Sequence, residues 1–280
     1  MPSAEEIRTA QRETWDRFAG GWEKWDPVVL ATIGGVAAAM IDSLDVTATQ
    51  LHLDVASGTG EPGLTIAALA PQGRVVLTDL STGMLDAARR RAEAKALTNV
   101  ELHEASADDL PFDDGRFDSV TCRFGLMFFP DLDAAAAEMA RVLRDGGRLS
   151  AAVWAGPDAN PWITMPVAAI GAEVALPPPD PNAPGMFRCA APEAMSRLFE
   201  SVGLHDVREW DVPTAMVADS PEQYWQLLNE VAAPVVGALS EVDEAGRDRI
   251  AAKVMQEARA YESDGKLRIP GQARCIVGTK

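Results

Sequence analysis

Cysteine is scarce in this chain of 280 residues, which has only Cys122, Cys189 and Cys275. They are odd in number, lie far apart and form no CxxC pair, which excludes a disulfide framework. They read as three buried or half-buried thiols in a reducing cytoplasm. Histidine is equally rare (His52, His103, His205), and no His/Cys/Asp cluster has ligand spacing, so no metal site is expected. Long apolar runs are also missing. The longest, 28–41, is interrupted by Thr32, Gly34 and Gly35 and falls short of the roughly 18 to 20 residues that span a bilayer. Glu5 and Glu6 stand where a signal peptide would carry basic residues. A soluble cytoplasmic protein with no membrane insertion is the expectation. Basic residues are outnumbered, 25 Lys and Arg against 42 Asp and Glu, for a formal charge of −17. That balance argues against a nucleic-acid partner, whose phosphates demand many cations. Arg89-Arg90-Arg91 with Lys95 reads as a solvated helix face.

What is present is ordinary globular material, 47% hydrophobic and 24% charged. Residues 5–45 read as helices, with Trp15, Phe18, Trp22 and Trp25 at helical spacing along one face. From Leu51 strands alternate with helices: strands over 51–56, 74–80, 100–105, 117–124 and 148–154, with helices over 64–70, 82–96 and 133–144, the last ending at Gly146-Gly147. Such alternation predicts parallel crossovers and a sheet covered on both faces. Beyond Trp154 the pattern loosens. Helices are expected over 162–174, 192–202, 221–231 and 243–262, a stiff five-proline loop over 176–185, and strands over 204–212 and 266–278.

The chemistry is concentrated in LDVASGTGEPGL, residues 53–64. Glycines where a strand ends allow a sharp turn and a close ligand approach, with helix amides facing the ligand. Gly58, Gly60 and Gly63 also satisfy GxGxxG, a weak signal alone. Asp79 ends the next strand, 19 positions after Gly60. A carboxylate there can accept from both hydroxyls of an adenosine ribose. A nicotinamide dinucleotide and S-adenosylmethionine both satisfy that geometry, and a carboxylate capping the helix from Thr82 is the bland alternative.

With these motifs in order, the stretch from Leu51 to Trp154 resembles the class I S-adenosylmethionine-dependent methyltransferases. It is most similar to the bacterial group of ubiquinone/menaquinone C-methyltransferases. LDVASGTG, TDLSTGML, ASADDLPFDDGRFD, RFGLMFFPD and RVLRDGGRL match that family's motifs. The resemblance implies a Rossmann-like, doubly wound, mostly parallel seven-stranded α/β sheet with its last strand antiparallel. The element pattern itself reads as an N-terminal helical cap (1–46), a cofactor-binding core (47–155), and a remainder of the sheet (156–280) whose helical insertions form a lid over the acceptor. The resemblance places S-adenosylmethionine against Asp54, Ala56, Ser57, Gly58, Thr59, Gly60, Asp79, Leu80, Met84, Ser106, Ala107, Asp108 and Arg123. Asp79 would sit on the ribose, and Asp108 would accept from the adenine amino group. Ser106 stands where the family often has Asp or Asn, and Arg123 where relatives often carry a small polar residue. Arg123 reads either as half of a structural ion pair or as a neighbour of the cofactor's methionine end or an anionic substrate group.

Methyl transfer from a sulfonium is an in-line displacement that chiefly needs a nucleophile held close and kept dry, and such positioning can supply roughly 7 to 11 kcal/mol at best. No histidine lies beyond a strand's carboxyl end, where ligands bind in open α/β sheets. No catalytic side chain is singled out, and a base, if used, is a carboxylate such as Asp131 or Asp158, or water. The acceptor pocket is expected from Trp22, Trp25, Phe124, Met127, Phe128, Trp154 and Tyr224, with Trp15, Trp162 and Trp225 nearby. A mostly apolar, aromatic enclosure suits a small hydrophobic, aromatic or polyketide-like acceptor. The other readings are an NAD(P)-dependent oxidoreductase and a non-catalytic cofactor-binding module. Against the oxidoreductase, the Tyr-x-x-x-Lys pair of short-chain dehydrogenases is absent: Leu228 follows Tyr224 by four, and Gly265 follows Tyr261 by four. Nothing in the sequence speaks to the oligomeric state.

Overall fold

The computed structural model describes residues 3–176, 180 and 183–280. Helix α1 (Ala4–Lys24) starts on a capping box in which Ser3 and Glu6 satisfy each other's backbone amides. Pro27, at the start of α2 (Asp26–Asp42), cannot continue α1's hydrogen-bond ladder, and the two helices meet at 95°. The alternating core follows as β1 (Leu51–Val55), α3 (Gly63–Leu69), β2 (Arg74–Asp79), α4 (Thr82–Ala94), β3 (Val100–Glu104), β4 (Phe117–Arg123), α5 (Leu132–Val142) and β5 (Leu143–Trp154). The rest comprises α6 (Pro161–Gly171), α7 (Ala194–Ser201), β6 (His205–Ala218), α8 (Pro221–Val231), α9 (Ala233–Ser240), α10 (Glu244–Ala258), the two-residue β7 (Glu262–Ser263) and β8 (Lys266–Thr279).

The strands lie in the order β3-β2-β1-β4-β5-β8-β6, with β7 paired to the end of β8. The first five are parallel, and β8 runs antiparallel to both neighbours. The Rossmann-like sheet with its last strand reversed is therefore the observed architecture. Central strands are buried on both faces, as parallel crossovers require. The chain order reverses between β1 and β4, and in open α/β sheets the crevice beyond that point takes the ligand.

Three boundaries differ from the sequence reading. Helix α5 stops at Val142, because Leu143 is buried and already pairs with Phe117. Gly146 and Gly147 lie within β5 instead of capping the helix, and a Cβ at Gly147 would stand 2.8 Å from the Asp118 carbonyl. Strand β6 continues through Pro213 to Ala218, which its position at the sheet edge permits. Helix α9 was not foreseen; it is a short, largely apolar segment without the side-chain cap that marks α8 and α10. Half of the expected proline loop, residues 177–179, 181 and 182, lies outside the described residues. All three cysteines are buried, and burial pushes the Cys189 thiol up to about 11 and Cys275 to about 12. Among the described residues no single helix is long and apolar enough to cross a membrane, and no group of His, Cys, Asp or Glu could hold a metal ion.

Candidate functional site

The turn after β1 is held from below. Asp54 is fully buried; its Oδ2 accepts from the Gly63 amide (2.9 Å) and its Oδ1 from the Thr121 hydroxyl (2.7 Å). With that hydroxyl committed, the Thr121 oxygen receives His52 Nε2 (2.9 Å), while His52 Nδ1 meets the Ser119 hydroxyl (2.7 Å), itself a partner of Gln50. This network assigns a neutral ring protonated at Nε2. Burial pushes His52 down to about 3 and Asp54 up to about 7, the latter partly offset by Thr121, Gly63 and Arg123.

Those shifts oppose one another. The lowered His52 makes the unfolded chain the better proton binder between about pH 3 and 6.5, so its contribution to stability grows as pH rises. The raised Asp54 makes the folded chain the better binder between about pH 4 and 7, so its contribution is fully present below pH 4 and is lost as pH rises to 7. Asp54→Asn is therefore expected to make the unfolding midpoint climb more steeply with pH from 4 to 7 than it does in the parent. Parallel curves in scanning calorimetry would refute this.

Above that floor the chain turns through left-handed residues, with Ala56 at φ 53°, Gly58 at 53° and Gly60 at 104°. A Cβ at Gly60 would lie 2.8 Å from Leu64, so that glycine serves packing. At Gly58 a Cβ would meet nothing within 4 Å. The Gly58 amide donates to Asp79 Oδ2 (2.8 Å) and the Ser81 amide to Asp79 Oδ1 (2.9 Å). Burial pushes Asp79 above the usual carboxylate range, against the pull of amides at Ser81, Gly58 and Leu80. The outer side of the turn is clamped by Arg91, which donates to the Thr59 carbonyl (2.7 Å) and pairs with Asp26 (3.0 Å) and Glu61 (3.2 Å).

Helix α1 lies across the ends of β2 and β3. Arg8 pairs with Asp108 (2.7 Å), Arg12 donates to the Leu80 carbonyl (3.3 Å), and Asp16 accepts from the Ser81 hydroxyl (2.6 Å) and the Gly83 amide (3.1 Å). Beneath it runs a cavity of about 360 Å³ that reaches from Asp79 and Ser106 past Arg123 to an apolar end. At that end Phe124 stacks on Trp154 (centroids 4.4 Å apart) and Trp162 tilts against Trp154 (5.0 Å). Trp15 contacts Trp22 and Phe128 edge-on.

Comparison with known proteins agrees with this geometry. Residues 53–147 match the methyltransferase domain family. That segment is similar to a methyltransferase domain. A demethylmenaquinone methyltransferase from Thermus thermophilus is 48% identical over 97 residues, 35% of this chain and 44% of that protein. A ubiquinone/menaquinone biosynthesis C-methyltransferase from Brucella anthropi is 45% identical over 98 residues, 34% of this chain and 37% of the relative. The chain thus spans under half the length of these curated relatives. In fold it is similar to a phosphoethanolamine N-methyltransferase from Haemonchus contortus, with a TM-score of 0.60 and 15% identity over all of this chain and 60% of that one.

Around the cavity the structure gathers most of the residues singled out in the sequence: Ala56, Ser57, Gly58, Thr59, Asp79, Leu80, Met84, Ser106, Ala107 and Arg123 at one end, and Trp22, Phe124, Met127, Phe128 and Trp154 at the other. Five residues fall elsewhere. Asp54 and Gly60 are buried behind the turn and shape it. Asp108 is turned from the cavity, occupied by Arg8 and the Ser106 hydroxyl. Trp25 is buried, donating its indole N–H to Glu230 (2.8 Å). Tyr224 is fully buried, and its hydroxyl donates to the Trp162 carbonyl.

The basic run is likewise no mere solvated face. Arg90 pairs with Glu23 of α1, and Arg91 grips the glycine turn. Arg8, Gln11 and Thr14 line the cavity unanticipated, although their spacing places them on the face of α1 that carries Trp15 and Trp22. No histidine lines it; His103 and His205 are exposed side chains beside acidic neighbours.

Proposed function

We propose that this protein transfers a methyl group from S-adenosylmethionine to a small apolar, aromatic acceptor. The observation that supports it best is the continuity of one cavity from the Gly58–Asp79 corner to the Phe124–Trp154 stack. The residues present fit that cofactor. Two of Asp79's lone-pair directions are taken by amides, leaving others for ribose hydroxyls. The buried Ser57 hydroxyl has no partner among the described residues, and the Cβ direction of Gly58 is open. When bound, the cofactor supplies an electrophilic methyl on a sulfonium.

The protein's part is to hold and to dry. Asp79, the turn at 56–59, Leu80, Met84, Ser106 and Ala107 would hold the nucleoside under α1. Phe124, Trp154, Phe128, Met127 and Trp22 would hold the acceptor flat and exclude water, leaving proximity to lower the barrier. Calorimetric binding of S-adenosylhomocysteine but not NAD is expected, and the reverse would favour the oxidoreductase reading. Radiolabelled methyl transfer across phenols, quinols and polyketides then identifies the acceptor.

Gly58 offers a sharper check. In Gly58→Ala the new methyl meets no protein atom, and the left-handed φ of 53° costs about 1–2 kcal/mol. The variant should fold yet bind S-adenosylhomocysteine at least tenfold more weakly, because its Cβ takes the space the cofactor would use. Parent-like affinity in calorimetry would place the ligand elsewhere.

A further inference from the structure

The ionisable side chains lining the cavity are Arg8, Asp79 and Arg123. Arg8 is committed to Asp108 and Glu5, and Asp79 to the amides of Gly58 and Ser81. Arg123 differs. It ends β4 one rung beyond Cys122, and its Nε donates to the Glu61 carbonyl (3.0 Å) in the glycine turn. Its Nη1 is buried with no partner among the described residues. Burial pushes this guanidinium down from its ordinary value. The charged groups around it are Asp54 on β1, Glu61 in the turn, Asp26 on α2 and Arg91 on α4; the three carboxylates sustain its charge and Arg91 opposes it. A buried cation with an unmade hydrogen bond is costly unless an anion completes it. The guanidinium carbon stands 6.0 Å from the Phe124 ring centroid, so the free donor adjoins the aromatic stack.

We infer, resting on the methyltransferase reading above, that Arg123 binds the acceptor as an anion, a phenolate or aromatic enolate whose oxygen takes the free Nη1 donor while its ring lies against the Phe124–Trp154 stack. This explains how a cavity lined, among the described residues, by no histidine, cysteine, tyrosine, lysine or glutamate can serve an acceptor that must lose a proton. The acceptor hydroxyl gives its proton to water, and Arg123 favours the anion that remains. An electron pair of the anion then forms the bond to the methyl carbon as the carbon–sulfur bond breaks, and its pair returns to the sulfur. The substrate class is thereby narrowed to weakly acidic aromatic hydroxyl compounds.

The test uses 4-nitrophenol and 7-hydroxycoumarin, whose ionised forms are read by absorbance, bound to the full chain with S-adenosylhomocysteine present. The parent should bind them with an apparent pKa at least one unit lower than in water, a tenfold preference for the anion. Arg123→Met should lose that shift, and Arg123→Lys should keep part of it. S-adenosylhomocysteine affinity is measured on both variants alongside, because Arg123 also braces the glycine turn through the Glu61 carbonyl. An unshifted probe, binding of neither probe, or a shift that survives in Arg123→Met would overturn the inference. So would a selective loss of S-adenosylhomocysteine, with 5′-methylthioadenosine unaffected, because the arginine would then serve the cofactor's carboxylate. A parent that binds phenols but no S-adenosylhomocysteine would instead defeat the methyltransferase reading.

Discussion

Arg91→Ala is expected to destabilise the fold by about 3 kcal/mol, at the lower end of what breaking a buried ion pair costs. The side chain is 13% exposed and reaches Glu61, which is 4% exposed, and Asp26, which is 17% exposed. Removing it leaves the Asp26 carboxylate, already above its ordinary value through burial, without its cation, and the Thr59 carbonyl without a donor. Lys95 still pairs with Glu61 at 3.3 Å, which keeps the loss from the upper end. A shift of about 5–10 °C in the calorimetric midpoint follows from the entropy of unfolding a chain of this size. Arg89→Ala is the control, because Arg89 is half exposed and pairs only with Asp86 one turn away. Equal midpoints for the two variants would show that Arg91 does not hold the turn.

Asp79→Ala is expected to weaken S-adenosylhomocysteine binding by about 1.5–3 kcal/mol, the worth of hydrogen bonds to a charged group. That is about a tenfold to hundredfold rise in dissociation constant. Two losses combine. The ribose would lose its acceptor, and the Gly58 and Ser81 amides would lose the oxygens that fix the turn against β2. Titration calorimetry on the variant decides it, and unchanged affinity would show that the ribose does not lie at Asp79.

The arrangement has a mechanical logic. The cap made by α1 and α2 is tied to the sheet by Arg8–Asp108, Asp16–Ser81, Glu23–Arg90 and Asp26–Arg91. Each tie ends beside a segment that lines the cavity. The Glu23–Arg90 pair is largely exposed and individually weak, whereas Asp26–Arg91 is mostly buried.

Some features were legible because they are local. Alternating strands and helices, the Ser81 cap of α4, the glycine turn and the acidic end of β2 each follow from a few neighbouring residues, and the structure places them as read. The aromatic stack was half legible. Phe124, Phe128 and Trp154 follow strand ends, where ligands of such sheets bind. Tyr224 and Trp25 have the same chemistry, yet they were drawn into the core by the Trp162 carbonyl and by Glu230. Nothing near them in the chain signals those partners.

The sequence by itself determined the parallel sheet and the glycine turn that ends β1, because propensity and hydrophobic period act over short range. Only the tertiary structure decided which charges are spent and which are free. Arg91, in a run that reads as solvated, is bound into the turn; Asp108 is claimed by Arg8; and Arg123 keeps a donor open beside the aromatic stack. The reason is physical: a buried charge is defined by the partners that replace its water, and those partners come from segments far away in the chain.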